Sequence, residues 1–268
     1  MNAYAEERNA RAWRDLAQGL ASWRIWSLLA LNDIRQRYRR SRFGQFWITI
    51  SMAIFVTAIG FVYSTLFRTP LAEFVPFLAA NYVVWFLISG IVTESTTAFI
   101  QAEAYLRQEA LPKTIFVMRM LLRNFIAFGH NVLIVPFVFL FFATPPSWAA
   151  LLALPGLVLI AVAGFLVGLV SAILSARFRD LPQIVINFLQ VLFFVTPIVW
   201  RPEQLQGEHR LVVDLNPFAA FLRVVSEPLL GRVPPASTYL TAGLSILVLA
   251  AIAWPLFTRY RGRIVYWL

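Results

Sequence analysis

Few residues in this chain are of a type that does chemistry. The single lysine, Lys113, stands in Ala-Leu-Pro-Lys-Thr. A phosphate-cradling loop needs G-x-x-x-x-G-K-[ST], whose glycines let backbone amides close around the phosphates. No glycine precedes Lys113 at that spacing, so nucleotide hydrolysis within this chain is excluded. There is no cysteine, and the 2 histidines form no HExxH pattern, so neither a thiolate nor a zinc site is expected. No pair of carboxylates or serine–histidine arrangement suggests acid–base or nucleophilic catalysis. Glu94 and His130 are the ionisable groups within or at the edge of long apolar runs. Glu94 is suited to anchoring a helix end, to pairing with an arginine, or to binding a substrate. His130 reads as a hydrogen-bonded packing residue. The remaining acids on one side (Glu73, Glu203, Glu208, Asp214, Glu227) are scattered without a motif.

The elements carrying these residues are membrane spans. The 268 residues are 60% hydrophobic and 13% charged, against about 25% charged in an ordinary soluble domain. So much apolar surface cannot be hidden in one soluble core; lipid accommodates it. A barrel would alternate in short segments, whereas the apolar runs here have the length of helices crossing a bilayer core of about 30 Å. The predicted architecture is an all-α membrane protein with six spans, near residues 46–66, 74–97, 125–143, 148–176, 184–200 and 240–257. Residues 145–146, both proline, make the link between spans three and four short, so those two are expected to be antiparallel neighbours. Most of the 23 cations lie before span one, between spans two and three, after span four, or in the C-terminal tail. The positive-inside rule therefore places both termini in the cytoplasm. It also accounts for the net charge of +10 without nucleic acid. The first residues carry no apolar run, and no cleaved leader is expected.

Two further elements stand out. Between residues 20 and 43, Leu20, Trp23, Ser27, Ala30, Leu31, Ile34 and Tyr38 recur at helical spacing, with Arg24, Arg35, Arg39 and Arg42 on other faces. This predicts a basic amphipathic helix at the cytoplasmic surface, its cations near anionic headgroups. Residues 1–43 thus form a tail with this interfacial helix, and residues 44–268 form the transmembrane domain, entered at the bend marked by Gly44. Between spans five and six, Asn216 is a good N-cap and Pro217 a good first helical residue, and Phe218, Phe221, Leu222 and Val225 share a face. Pro228 should stop this helix and Gly231 permit a reversal. The segment is too short to span, so a re-entrant helical hairpin dipping into the outer leaflet is expected.

The order of these pieces resembles a known family. The stretch from Arg35 to Trp47 (RQRYRRSRFGQFW), RFRDLPQIV from Arg177, TPIVW from Thr196 and LNPFAAF from Leu215 follow one another as in the membrane subunits of ABC-2-type polysaccharide exporters, which serve O-antigen, capsule or teichoic acid. The resemblance runs from about Asn32 to the C-terminus. Where many members have Phe-Pro-Arg entering span three, this chain has EALPKTIFVMR, which leaves the subfamily open.

The resemblance implies a bacterial inner-membrane half-transporter with no cofactor of its own. Two copies would line one channel, and two copies of a separate ATPase, holding ATP and magnesium, would dock below. The cargo would be a lipid-linked polysaccharide among membrane lipids. Arg35, Arg37, Arg39 and Arg42 would then receive its pyrophosphate through charge-assisted hydrogen bonds. Tyr63, Tyr82, Trp85, Phe86, Phe188, Phe193 and Phe194 would offer ring faces to sugar CH groups. Pro217, Phe218, Phe221 and Pro228 would belong to an external gate. The coupling helix would lie at residues 103–113, where Glu103 and Arg107 are one helical turn apart. There Tyr105 and Leu106 would offer an apolar knob, and Arg107, Glu109 and Lys113 a charged rim. The same architecture would serve another amphipathic cargo, a drug or a lipid. A membrane-embedded glycan-processing enzyme would need ionisable groups clustered at one face, and an ion-coupled transporter would need them at midplane.

Overall fold

A computed structural model of the chain describes residues 2–39, 44, 46–145, 147–205 and 207–268. Among these residues all regular structure is helical. The segment before the first span holds two helices, α1 (Asn2–Ala21) and α2 (Trp23–Tyr38). Gly44 then adopts φ +55, a conformation glycine reaches without steric cost, and turns the chain into α3 (Phe46–Leu66). There follow α4 (Leu71–Ser95), α5 (Glu103–Gln108), α6 (Thr114–Asn131), α7 (Ile134–Phe141), α8 (Ala153–Arg177), α9 (Leu181–Val195), α10 (Leu211–Asp214), α11 (Pro217–Leu229), α12 (Ala236–Tyr260) and α13 (Ile264–Trp267).

Among the described residues, five stretches are long and apolar enough to cross a membrane: Phe46–Leu66, Leu71–Ser95, Thr114–Phe141, Trp148–Arg177 and Ala236–Trp267. The third begins well before its expected start at residue 125. Arg119 and Arg123 lie inside this helix, where both are ion-paired. The fifth expected span differs in the other direction: α9 begins at Leu181 and stops at Val195. Thr196 precedes Pro197, whose ring disfavours the α conformation at the residue before it. Thr196 is accordingly extended (φ −90, ψ 138). At about 1.5 Å per residue, the 15 residues of α9 fall short of a bilayer core of about 30 Å.

Helix α4 is the hub. Most of its length is buried, and it touches α3, α6, α7, α8, α9 and α11. Helices α3 and α12 expose most of their apolar side chains outward. Small residues set the closest approaches, as expected where helices pack in lipid. A Cβ at Gly156 of α8 would lie 2.4 Å from the Val224 carbonyl oxygen of α11.

Helix α11 has the start anticipated for it. The Asn216 side chain accepts from the Phe218 amide at 2.9 Å, and Pro217 follows in the first turn. Pro228 does not end the helix, which runs on to Leu229; Gly231, at φ +77, makes the reversal. Ala219, Ala220, Phe221, Leu222, Val224 and Val225 are buried, and α11 is wedged between α4, α8 and α12.

Candidate functional site

Aromatic side chains from four helices meet at the end of the bundle that holds α11. Phe55 (α3) stacks on Tyr82 (α4), with ring centres 4.3 Å apart. Tyr82 and Trp85 each meet Phe193 of α9, at 6.4 and 6.1 Å. Trp85 continues to Phe218 of α11 at 6.2 Å, and Phe193 to Phe194 at 5.4 Å. Tyr82 and Trp85 share one side of α4, because positions three apart are neighbours on a helix. The ladder opens on a shallow depression of about 370 Å³ whose walls include Trp85, Ser89 and Thr93 of α4 and Gln190, Phe193 and Phe194 of α9. Ring faces beside amides and hydroxyls suit a polyhydroxylated ligand, which presents CH faces and OH groups together.

Not every aromatic expected here takes part. Tyr63 packs on Phe67 at 5.4 Å, farther along α3. Phe86 lines a different cavity, with Gly90 and Glu94 on another side of α4. Phe188 is exposed on another face of α9. Helix α9 carries a further polar feature: Gln183, Asn187 and Gln190, spaced four and three apart, are all exposed on an otherwise apolar helix. Gln183 donates to Asn187 at 3.2 Å. The signal was present in QIVINFLQ as a polar stripe of helical period.

At the other end, α2 is fastened to the bundle by a partly buried ion network. Asp33 accepts from Nε of Arg119 at 2.7 Å and from Nη1 of Arg123 at 2.6 Å. Burial alone would raise the Asp33 carboxyl, but the hydrogen bonds and charges of the two arginines outweigh it and hold it below the usual 3.8. Arg123 also reaches Glu94 at 2.8 Å, Asn124 donates to the same carboxylate at 3.2 Å, and Arg37 approaches it at 3.4 Å. Glu94 is thus an arginine-paired helix anchor. His130 faces the Ile126 carbonyl through Nδ1 at 2.8 Å and meets Phe46 edge-on. Among the interfacial arginines, Arg37 borders this network, Arg35 and Arg39 are exposed, and Arg42 lies outside the described residues.

Helix α1 makes a second fastening. Asp15 is buried, and its carboxylate accepts from the Lys113 amide at 3.1 Å, the Thr114 amide at 3.2 Å and Arg261 at 2.8 Å. A carboxylate on one helix thus caps the N-terminus of another. Trp13 packs on Trp254 at 4.5 Å, and Trp254 donates to Asn9 at 3.0 Å.

Beside this clamp lies α5. Glu103 and Arg107 form the anticipated turn-spaced ion pair at 2.9 Å. Leu106, expected in an exposed knob, is 3% exposed and faces the core, because Ala102 and Leu106 share the inner side of the turn. The outward surface includes Tyr105, Arg107 and Glu109. Tyr105 is held against Phe116 and beneath Arg119. Lys113 is half-buried, and burial lowers its pKa despite the nearby Asp15. In the expected gate, Phe218 is partly open and joins the aromatic ladder; Phe221 and Pro228 are buried against neighbouring helices.

The described residues make a multi-pass helical membrane protein with a short helix, α5, between its second and third long apolar stretches. Residues 25–230 match the model of the ABC-2 type transporter family, and the chain belongs to that family. Among curated relatives it is similar to an O-antigen export system permease protein RfbA of Klebsiella pneumoniae, 23% identical over 196 residues, covering 71% of this chain and 74% of the relative. A protein of the same name from Myxococcus xanthus is 23% identical over 198 residues, covering 72% and 75%.

Proposed function

We propose that this chain is the permease subunit of an ATP-driven exporter of lipid-linked polysaccharide, working as a pair of copies with a separate ATPase in the bacterial inner membrane. The observation that carries this reading is the amide stripe Gln183–Asn187–Gln190 beside the aromatic ladder. Amides turned toward lipid would forfeit hydrogen bonds at a cost of a few kcal/mol each. The stripe is accommodated if α9 faces a water-filled passage, where amides and ring faces meet sugar hydroxyls and CH groups. Helix α9 and the turn at residues 196–200 form the sixth crossing. Helix α11 and its reversal at Gly231 form a re-entrant outer gate, and α5 presents Tyr105 to the ATPase. Both termini then lie in the cytoplasm. The names of the curated relatives, both O-antigen export permeases, agree with this cargo.

The test is replacement of Gln183, Asn187 and Gln190 by leucine in cells where this chain and its ATPase provide the export route for one glycan. Surface glycan should fall at least tenfold and lipid-linked glycan accumulate inside, with permease level and ATPase association unchanged. Undiminished export with a more stable permease would mean that α9 faces lipid, and the passage would have to lie elsewhere.

A further inference from the structure

A cavity of about 480 Å³ opens where α1, the chain ahead of α6 and the end of α12 meet. Its walls include Arg11, Arg14, Asp15 and Gln18 of α1, Lys113, and Arg261 just past α12. A single water needs roughly 10–15 Å³ of such space, so a group the size of a lipid headgroup fits. Arg11, Arg14 and Gln18 recur three and four apart, so one stripe of α1 borders the opening. Four cations thus surround one carboxylate, and that carboxylate is already engaged. Asp15 is 2% exposed and accepts from the Lys113 and Thr114 amides and from Arg261.

The cations, unlike Asp15, can be reached from outside. Arg11 and Arg14 are exposed, Lys113 is half-buried, and Arg261 is 27% exposed even while it holds Asp15. Arg11 has Glu7 as a partner one turn away. Arg14 has a long contact to the Ala10 carbonyl at 3.5 Å. At Lys113 it is the backbone amide, not the ammonium, that meets Asp15. Burial lowers the Lys113 pKa, Asp15 opposes that shift, and Arg261 adds to it. Such a shift marks an ammonium whose neighbours do not balance its charge. An anion in the cup would balance Arg14 and Lys113 together.

The surroundings say which anion. Trp13 of α1 packs on Trp254 of α12 and is still 56% exposed; Leu20, seven residues on along the same side, is 50% exposed. Tryptophans collect at the boundary between membrane and water. Arg261 lies seven residues beyond Trp254, about 10 Å along a helix axis, which is headgroup depth. A basic pocket between membrane helices with apolar side chains beside it suits a phospholipid, its headgroup in the cup and its chains along Trp13 and Leu20. A carboxylate on a partner protein would engage the cup alone and leave those side chains uncovered. We propose that this cup binds the headgroup phosphate of an anionic phospholipid, held by Arg14, Lys113 and Arg261. The inference goes beyond the export reading and needs only the membrane setting. Because α1, the chain leading out of α5 and the end of α12 share the wall, a bound lipid fastens α1 to the loop ahead of span three.

The test uses the purified full chain in a sugar-headed detergent, which brings no phosphate. The probes are radiolabelled dioctanoyl phosphatidylglycerol, dioctanoyl phosphatidylcholine, which has the same chains and no net charge, and inorganic phosphate. Phosphatidylglycerol should bind at least tenfold more tightly than phosphatidylcholine. Arg14→Gln and Lys113→Gln leave every contact of Asp15 in place, and each should weaken that binding about tenfold, the scale of one charge-assisted hydrogen bond. Arg232→Gln removes an equal charge at an exposed site after α11 and should change nothing. Equal binding of the two lipids, or binding indifferent to Arg14→Gln and Lys113→Gln, overturns the proposal. Inorganic phosphate binding as tightly as the lipid also overturns it and leaves a free-anion site. Failure of phosphatidylglycerol to bind overturns it too; if both substitutions then weaken co-purification with the ATPase, the cup belongs to an acidic surface of that partner. The binding measurement contains neither ATPase nor glycan, so its failure is distinct from a failure of the export test.

Discussion

Asp15 lies 98 residues from the helix it caps, and its removal gives the sharpest test of how α1 is held. The carboxylate meets two backbone amides at the start of α6, the Thr114 hydroxyl at 3.0 Å and Arg261 at 2.8 Å, and the side chain is 2% exposed. Loss of a cap costs about 1 kcal/mol, with a range of roughly 0.5–2. Removing one partner of a fully buried ion pair costs about 3–5 kcal/mol. Arg261 is 27% exposed and can turn to water, which brings that cost to about 2 kcal/mol or the low end of the range. Asp15→Ala should therefore destabilise the chain by about 3–4 kcal/mol. At roughly 2–4 °C per kcal/mol for a chain of this size, the midpoint of thermal unfolding in detergent should fall by about 6–16 °C. Asp15→Asn keeps one acceptor oxygen and should lose about half as much. Trypsin should then cut at Arg11 and Arg14, once α1 no longer rests on α6 and α12. A midpoint within about 2 °C of the parent, with α1 still protected, would refute the idea that this carboxylate clamps the N-terminal helix to the loop ahead of span three.

Three further outcomes follow from the geometry. The folded Asp33 carboxyl lies below its ordinary 3.8, so its contribution is complete above that value and is lost as pH falls through the lower folded value; the thermal midpoint of the parent should drop more steeply on acidification below pH 4 than that of Asp33→Asn. On α5, Tyr105→Asp should leave a folded permease that no longer co-purifies with its ATPase. Leu106→Asp should instead lower the amount of folded protein, because it buries a carboxylate at a site 3% exposed, at a cost of several kcal/mol. Gly156→Ala should cost about 1–3 kcal/mol by thermal unfolding, since the new methyl meets a backbone oxygen that cannot move alone. Gly243→Ala, where the added carbon meets nothing within 4 Å, should be neutral or mildly stabilising.

The all-helical membrane architecture was legible because lipid leaves a backbone few choices, and because apolar runs and their flanking arginines are local properties. The cap and first turn of α11 were legible for the same reason: Asn216 and Pro217 act on their immediate neighbours. Local rules failed where a distant residue intervened. The apolar run after residue 125 did not reveal that α6 begins at Thr114, because its first turns carry Arg119 and Arg123, which Asp33 and Glu94 neutralise from other helices. No periodicity announced that Asp15 would cap α6, because a cap taken from another helix leaves no spacing signature. Leu106 and Tyr105 are adjacent and similarly apolar; only the packing of α5 turned one inward and the other outward. The family, the span-forming stretches and the aromatic residues belong to the sequence by itself. The basic cup beside Lys113, the two fastenings of the N-terminal helices and the wedging of α11 were decided by tertiary structure, because each depends on side chains from separate helices arriving at one point.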